Sequence, residues 1–139
     1  MLENFETIAK AIADPSRVRI LKLLEGGELC VCQIGAVLDL AAGTVSKHLS
    51  ALKAAGLVQM RRAGKWAFYR PAERELNPYT RDFGALLKAH LNDDPTILED
   101  RRILDLVKAT PIQSVCELGR AAIGPVTAPS LPPTCCGKP

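Results

Sequence analysis

A mainly α-helical chain carrying one β-hairpin is predicted by three features of the sequence. Four segments with helical apolar spacing follow one another between residues 4 and 55, each closed by a capping or breaking residue. Over residues 57–70 the spacing turns extended around Ala63-Gly64, a hairpin signal. Arg61, Arg62, Lys65 and Arg70 gather on that extended stretch, with Trp66 and Tyr69 beside them. Helices followed by a hairpin with a basic tip make a winged helix-turn-helix.

Phe5, Ile8, Ala9 and Ile12 share one side of the first helix, residues 4–13. Asp14 can cap a second helix, and Pro15 is tolerated in its first turn. Val18, Ile20, Leu21, Leu23 and Leu24 carry that helix to about residue 25, where Gly26-Gly27 closes it. A third, short helix is expected from about residue 30 to residue 38, and a fourth from about 42 to 55, ending at Gly56. In the fourth, Val45, Leu49 and Leu52 form one face, while Thr44, Lys47, His48 and Ala51 repeat the same spacing on another. A stripe of hydroxyl, ammonium and imidazole suits a surface that enters a groove.

Two strands, residues 57–62 and 65–70, follow as the wing. A helix from about residue 77 or 79 to 91 presents Phe83, Leu86, Leu87 and Leu91, more apolar surface than one small domain needs. A second copy of the chain can bury that surplus, so a homodimer is expected. A further helix over about residues 96–109 is expected as an outer packing layer. Beyond residue 110, Pro111, Pro125, Pro129, Pro132 and Pro133 predict a mostly flexible tail. The organisation is thus a winged-helix and dimerisation domain over 1–92, an additional helix over 93–109, and a cysteine-containing tail over 110–139.

With 139 residues and 47% hydrophobic content, the chain suits one domain with a real core. The formal charge of +3 permits a nucleic-acid partner, but only clustering on one face gives an electrostatic footprint. No apolar run approaches the roughly 20 residues that span a bilayer, and the N-terminal stretch is acidic. A cytoplasmic protein with no membrane partner is expected. The five cysteines, at 30, 32, 116, 135 and 136, are then expected to be mostly reduced thiols. With only His48 and His90 in the chain, no nucleophile–base–orienter set suggests itself, so an enzyme is not expected.

Cys30 and Cys32 stand one residue apart in Glu28-Leu29-Cys30-Val31-Cys32-Gln33-Ile34. They could be core filler, a redox pair or a clamp for a soft ion. Positions i and i+2 of a regular helix point about 200° apart, so a helical pair must distort its first turn to close on one ion. Such thiolates suit trivalent arsenic, antimony, cadmium or lead, and oxygen-loving ions match poorly. Glu28 is the nearest acid, and no nearby His, Asp or Glu has the spacing of a closed zinc site.

The stretch Ala13-Asp14-Pro15-Ser16-Arg17-Val18-Arg19-Ile20-Leu21, followed by Thr44-Val45-Ser46-Lys47-His48-Leu49-Ser50-Ala51-Leu52-Lys53-Ala54-Ala55-Gly56-Leu57-Val58, resembles the ArsR/SmtB family of metal-sensing transcriptional repressors. The likeness extends through Arg61-Arg62-Ala63-Gly64-Lys65-Trp66 to Phe68-Tyr69 and covers about residues 4–91. It implies a homodimer that sits on double-stranded operator DNA and leaves when a metal or metalloid binds, with no resident cofactor.

Within the family the arsenic-responsive branch is similar at the paired thiols, which implies that Cys30 and Cys32 bind trivalent arsenic, as arsenite or a methylated arsenical, or antimony. A third cysteine often stands where this chain has Gly35. Cys116, Cys135 or Cys136 could supply that thiolate instead, or the last two could form a separate site. Asp82 and His90, on the helix that follows the wing, are too sparse for a second metal site. The resemblance also places Thr44, Ser46, Lys47, His48 and Ser50 in the major groove and Arg61, Arg62 and Lys65 on backbone or minor groove. Strain at Cys30 would then tilt the recognition helix. A winged-helix regulator whose thiols respond to oxidation is the alternative.

Overall fold

Asp14 opens the second helix as its sequence position demands: its Oδ1 accepts hydrogen bonds from the amides of Ser16 (2.8 Å) and Arg17 (3.3 Å), and Pro15 takes the first turn. In this computed structural model, which describes residues 1–73 and 77–125, the order is α1 (Leu2–Ala11), α2 (Pro15–Leu24), β1 (Leu29–Cys30), α3 (Val31–Leu38) and α4 (Ala42–Ala54). Strands β2 (Val58–Ala63) and β3 (Trp66–Pro71) follow, then α5 (Thr80–Ala89), α6 (Pro95–Lys108), α7 (Ile112–Leu118) and a 3-10 turn over Gly119–Ile123.

Helix α3 stops at Asp39, which adopts the left-handed conformation (φ 56°). The amides of Asp39 and Leu40 both donate to the Gly35 carbonyl, so α4 starts only a few residues later. Ile34 and Val37 of α3, with Val45, Leu49 and Leu52 of α4, are fully buried and define the core between the two helices. On α4 the buried spacing of Val45, Leu49 and Leu52 is the one expected from the sequence.

The sheet has three strands rather than two, in the order β1-β3-β2, all antiparallel. The hairpin turns at Gly64, whose positive φ of 61° suits a residue without Cβ. The extra strand changes one expectation: Cys30 is not helical but extended, paired with Phe68 across β3. Its neighbour Leu29 pairs with Tyr69, and the backbone hydrogen bonding available on that edge outweighs helical continuation by one residue.

Helix α6 contributes to the main core rather than only to an outer layer, with Ile103, Leu104 and Val107 buried. Two polar anchors hold the α5–α6 region on α2. Asp100, 3% exposed, accepts from Arg19 Nε (2.8 Å) and Nη2 (2.7 Å). Lys22, 2% exposed, donates from Nζ to the carbonyls of Leu87 (2.6 Å) and His90 (2.9 Å), and to Asn92 Oδ1 (3.1 Å). Burial of an ammonium is tolerable because every direction from it meets an acceptor, Glu25 included at 3.0 Å.

Residues 112–123, placed in the expected tail, are helical instead. Pro111 occupies the N-cap of α7 instead of breaking it, and the next proline is Pro125. Between them α7 and the 3-10 turn pack on α3, with Val115 1% exposed in the core. Residues 126–139, including Cys135 and Cys136, lie outside the described residues.

Candidate thiol centre and nucleic-acid interface

The extended backbone of Cys30 (φ −78°, ψ 151°) makes it the N-cap of α3, and Cys32 lies in the first turn of that helix. Its side chain accepts from the Gln33 amide, while Gln33 Oε1 accepts from the Cys30 amide at 2.9 Å, a reciprocal cap. Because one residue of the pair precedes the helix, the 200° separation of a helical i, i+2 pair does not arise. The two thiols converge with α3 fully wound, which removes the expected need to unwind its first turn.

Packing of α7 on α3 brings Cys116 to the same place. The sulfur atoms of Cys30, Cys32 and Cys116 all lie within 4.8 Å of one another, and this is the one group of three potential ligands found among the described residues. Cys32 and Cys116 are joined as a disulfide, with Cα atoms 4.9 Å apart and 84 residues between them in sequence. This pair therefore departs from the expectation of reduced thiols: tertiary packing sets the two side chains at bonding distance. Cys30 is free, and 1% exposed. Cys32 and Cys116 are half-buried.

Gly35, where a third cysteine would stand in the arsenic pattern, leaves little room for one. A Cβ there would sit 3.0 Å from the Leu40 carbonyl oxygen and 3.7 Å from Val45 Cγ2. Glu28 is occupied elsewhere: its carboxylate binds Arg61 Nε (3.1 Å) and Nη2 (2.5 Å). That hydrogen-bonded guanidinium holds the Glu28 carboxyl below its ordinary range. Asp82 and His90, on and just after α5, belong to no such group.

Of the recognition-helix candidates on α4, Thr44, Ser46, Lys47 and Ser50 are exposed. His48 is half-buried, and its Nδ1 accepts from Arg17 Nε at 3.2 Å. Arg17, at the start of α2, was not among the sequence candidates, because nothing in its local spacing links it to α4. On the wing Arg62 and Lys65 are exposed, and Lys65 Nζ lies 5.6 Å from the Trp66 ring centroid. Arg61 is committed differently, bound to Glu28 and placed 4.9 Å over the Phe68 ring.

A helix-turn-helix with an exposed polar stripe, a basic wing behind it and a thiol cluster at their junction defines a transcriptional regulator of the winged-helix class. The family profile described as "Bacterial regulatory protein, arsR family" matches residues 14–60. Over 72 residues the chain is 47% identical to the uncharacterized HTH-type transcriptional regulator MJ1325 of Methanocaldococcus jannaschii, covering 49% of this chain and 81% of that protein. It is 45% identical over 62 residues to the arsenical resistance operon repressor of Escherichia coli K12, covering 44% of this chain and 53% of that one. A cadmium resistance transcriptional regulatory protein CadC homolog of Staphylococcus aureus is 38% identical over 63 residues, 45% of this chain and 52% of the relative. The chain thus spans about half the length of the two resistance regulators.

Among solved structures, a homodimeric winged helix-turn-helix DNA-binding domain from Mycobacterium bovis, a possible ArsR-family regulator, is 34% identical with a TM-score of 0.55, covering 63% of this chain and 78% of that one. The chain belongs to the ArsR family. Its relatives are DNA-binding transcriptional regulators, not enzymes. Among the described residues no helix is long and apolar enough to cross a membrane.

Proposed function

We propose that this chain is an operator-binding repressor that leaves its DNA when trivalent arsenic or antimony is held by the reduced thiolates of Cys30, Cys32 and Cys116. The observation that carries this reading is the convergence of the three sulfur atoms within 4.8 Å of one another, with no carboxylate or imidazole in the group. An all-sulfur donor set favours a soft, thiophilic ion. Arsenite exchanges three hydroxyls for three thiolates, As(OH)3 + 3 RSH → As(SR)3 + 3 H2O, without any change of oxidation state. Three sulfurs therefore suit the inorganic ion better than a methylated arsenical, which has only two exchangeable positions.

The placement of the sulfurs supports a route to DNA. Cys30 pairs with Phe68, and Phe68 pairs with Arg61 on the wing. Cys32 belongs to α3, which packs on α4. An ion drawing the three sulfurs together pulls on the wing sheet, on the helix-turn-helix and on α7 at once. Release requires that the ion bind the DNA-free state more tightly, and a coupling of about 3 kcal/mol corresponds to about 150-fold.

Two copies of the chain would form the working unit. Leu2 (81% exposed), Phe5 (45%) and Leu86 (51%) leave an apolar surface on neighbouring α1 and α5, where Phe5 packs edge-on against Tyr79.

The test is a titration of the phosphine-reduced protein on a duplex selected by it from a random pool, followed by fluorescence anisotropy. Arsenite should weaken binding by about two orders of magnitude, and Cys30→Ser should abolish the response while leaving DNA binding in place. Cadmium in a parallel titration separates a metalloid sensor from a cadmium sensor. Unchanged affinity with arsenite removes the reading.

A further inference from the structure

We infer that Cys32 and Cys116 form a reversible oxidation site that closes the thiol centre: a peroxide joins the pair, and the joined pair excludes the thiophilic ion. The exclusion rests on the proposed function; the oxidation site itself rests on geometry alone. Both sulfurs are half-buried and so within reach of a small oxidant, whereas Cys30 is 1% exposed and its sulfur is engaged by the Gln33 amide. The Cα atoms of Cys32 and Cys116, 4.9 Å apart, already stand at a separation that a disulfide spans without backbone movement.

The chemistry balances with a peroxide as the two-electron acceptor. One thiolate attacks the peroxide oxygen and becomes a sulfenic acid, releasing hydroxide; the second thiolate attacks that sulfur, expelling a second hydroxide. With two protons from the thiols the sum is 2 RSH + H2O2 → RSSR + 2 H2O. Two of the three donors are consumed, and Cys30 alone cannot hold a trigonal ion.

The C-terminal segment needs no relocation for this step. Arg120 donates to the Ala36 and Val37 carbonyls at 2.7 and 2.8 Å, a second attachment of the segment to α3 that involves no sulfur. The segment is therefore positioned for either fate of Cys116, bond or ligand. Metalloid and oxidant compete for the same atoms, so each protects the centre from the other.

The experiment uses the full chain carrying Cys135→Ser and Cys136→Ser, so that only the three clustered thiols report. It is reduced with a phosphine, freed of reductant, and divided into arms with and without hydrogen peroxide. Peptide mass mapping should find Cys32 linked to Cys116 in the peroxide arm. Arsenic retained after gel filtration should fall at least tenfold in that arm and return after phosphine, and arsenite loaded first should slow the cross-linking at least tenfold. Full arsenic uptake by the cross-linked protein, or unslowed cross-linking of the loaded protein, overturns the inference. Should the reduced protein take up no arsenite, the proposed function falls by itself. The linkage map then decides the oxidation site, Cys32–Cys116 upholding it and any other pairing overturning it.

Discussion

Arg120 closes the C-terminal end of α3 by donating from Nε to the Ala36 carbonyl at 2.7 Å, and from Nη2 to the adjacent Val37 carbonyl at 2.8 Å. These oxygens belong to the last turn, where the helix offers its carbonyls no donors of its own. Gly35, one residue earlier, is satisfied by the Asp39 and Leu40 amides. With Cys116 bonded near the start of α3, the C-terminal segment grips that helix at both ends.

Removing the guanidinium should loosen the segment without unfolding the winged helix. Arg120→Ala is expected to cost about 1.5–3 kcal/mol, the usual worth of hydrogen bonds to a charged group. Amide hydrogen exchange of the reduced protein should show lost protection in α7, while α4 stays protected. Protection of α7 equal to the parent's would show that Arg120 contributes nothing to holding it.

A bulkier residue at position 35 should strain the turn into the recognition helix. Gly35→Ala ordinarily gains about 0.5–1 kcal/mol of helix propensity. Here the new Cβ meets a backbone oxygen at 3.0 Å, and overpacking costs about 1–3 kcal/mol. A net loss near 1 kcal/mol is expected in urea denaturation; a gain would mean that the Leu40 carbonyl gives way freely.

The Arg19–Asp100 pair joins α2 to α6, with the carboxylate buried and the Arg19 side chain 29% exposed. Asp100→Ala should cost about 2–3 kcal/mol, below the loss at a fully buried pair because water still reaches the guanidinium. A change in urea midpoint equivalent to under 0.5 kcal/mol would remove this pair from the account.

Among the described residues Arg62 and Lys65 have no carboxylate partner, while Arg61 is bound to Glu28. Neutralising Arg62 and Lys65 together should lower the salt dependence of DNA binding by about two phosphate contacts, and neutralising Arg61 by less. Equal effects at all three positions would show that Arg61 leaves Glu28 on DNA.

Acid should break the Glu28–Arg61 link late. The folded carboxyl titrates below its ordinary value because Arg61 hydrogen-bonds its charged form. The stabilisation is therefore present above the unfolded value and disappears as the pH falls through the lower folded one. Carbon-detected NMR should place the midpoint of the Glu28 carboxyl below that of the same group in the Arg61→Gln variant, and equal midpoints would show that Arg61 does not favour the charged form.

Much of the framework was legible in the residues themselves. Apolar spacing located α1, α2, α4 and the hairpin, and Asp14, Gly56 and Gly64 marked their limits, because propensity and capping act over a few neighbouring residues. The paired thiols were visible as a soft-ion candidate for the same local reason. Their geometry was not: whether Cys30 is helical or extended depends on Phe68 across the sheet, 38 residues away. Pro111 read as a breaker until packing made it a cap, and the bond from Arg17 to His48 arises only where α2 meets α4.

By itself, then, the order of side chains determined a winged helix-turn-helix with a basic hairpin and two adjacent sulfurs, since each of those features is written within a turn or a strand of chain. Only the tertiary structure decided that the sulfur of Cys116 lies beside those two, because its approach to Cys32 closes a separation of 84 residues through the packing of α7 on α3. No local preference carries information over that distance.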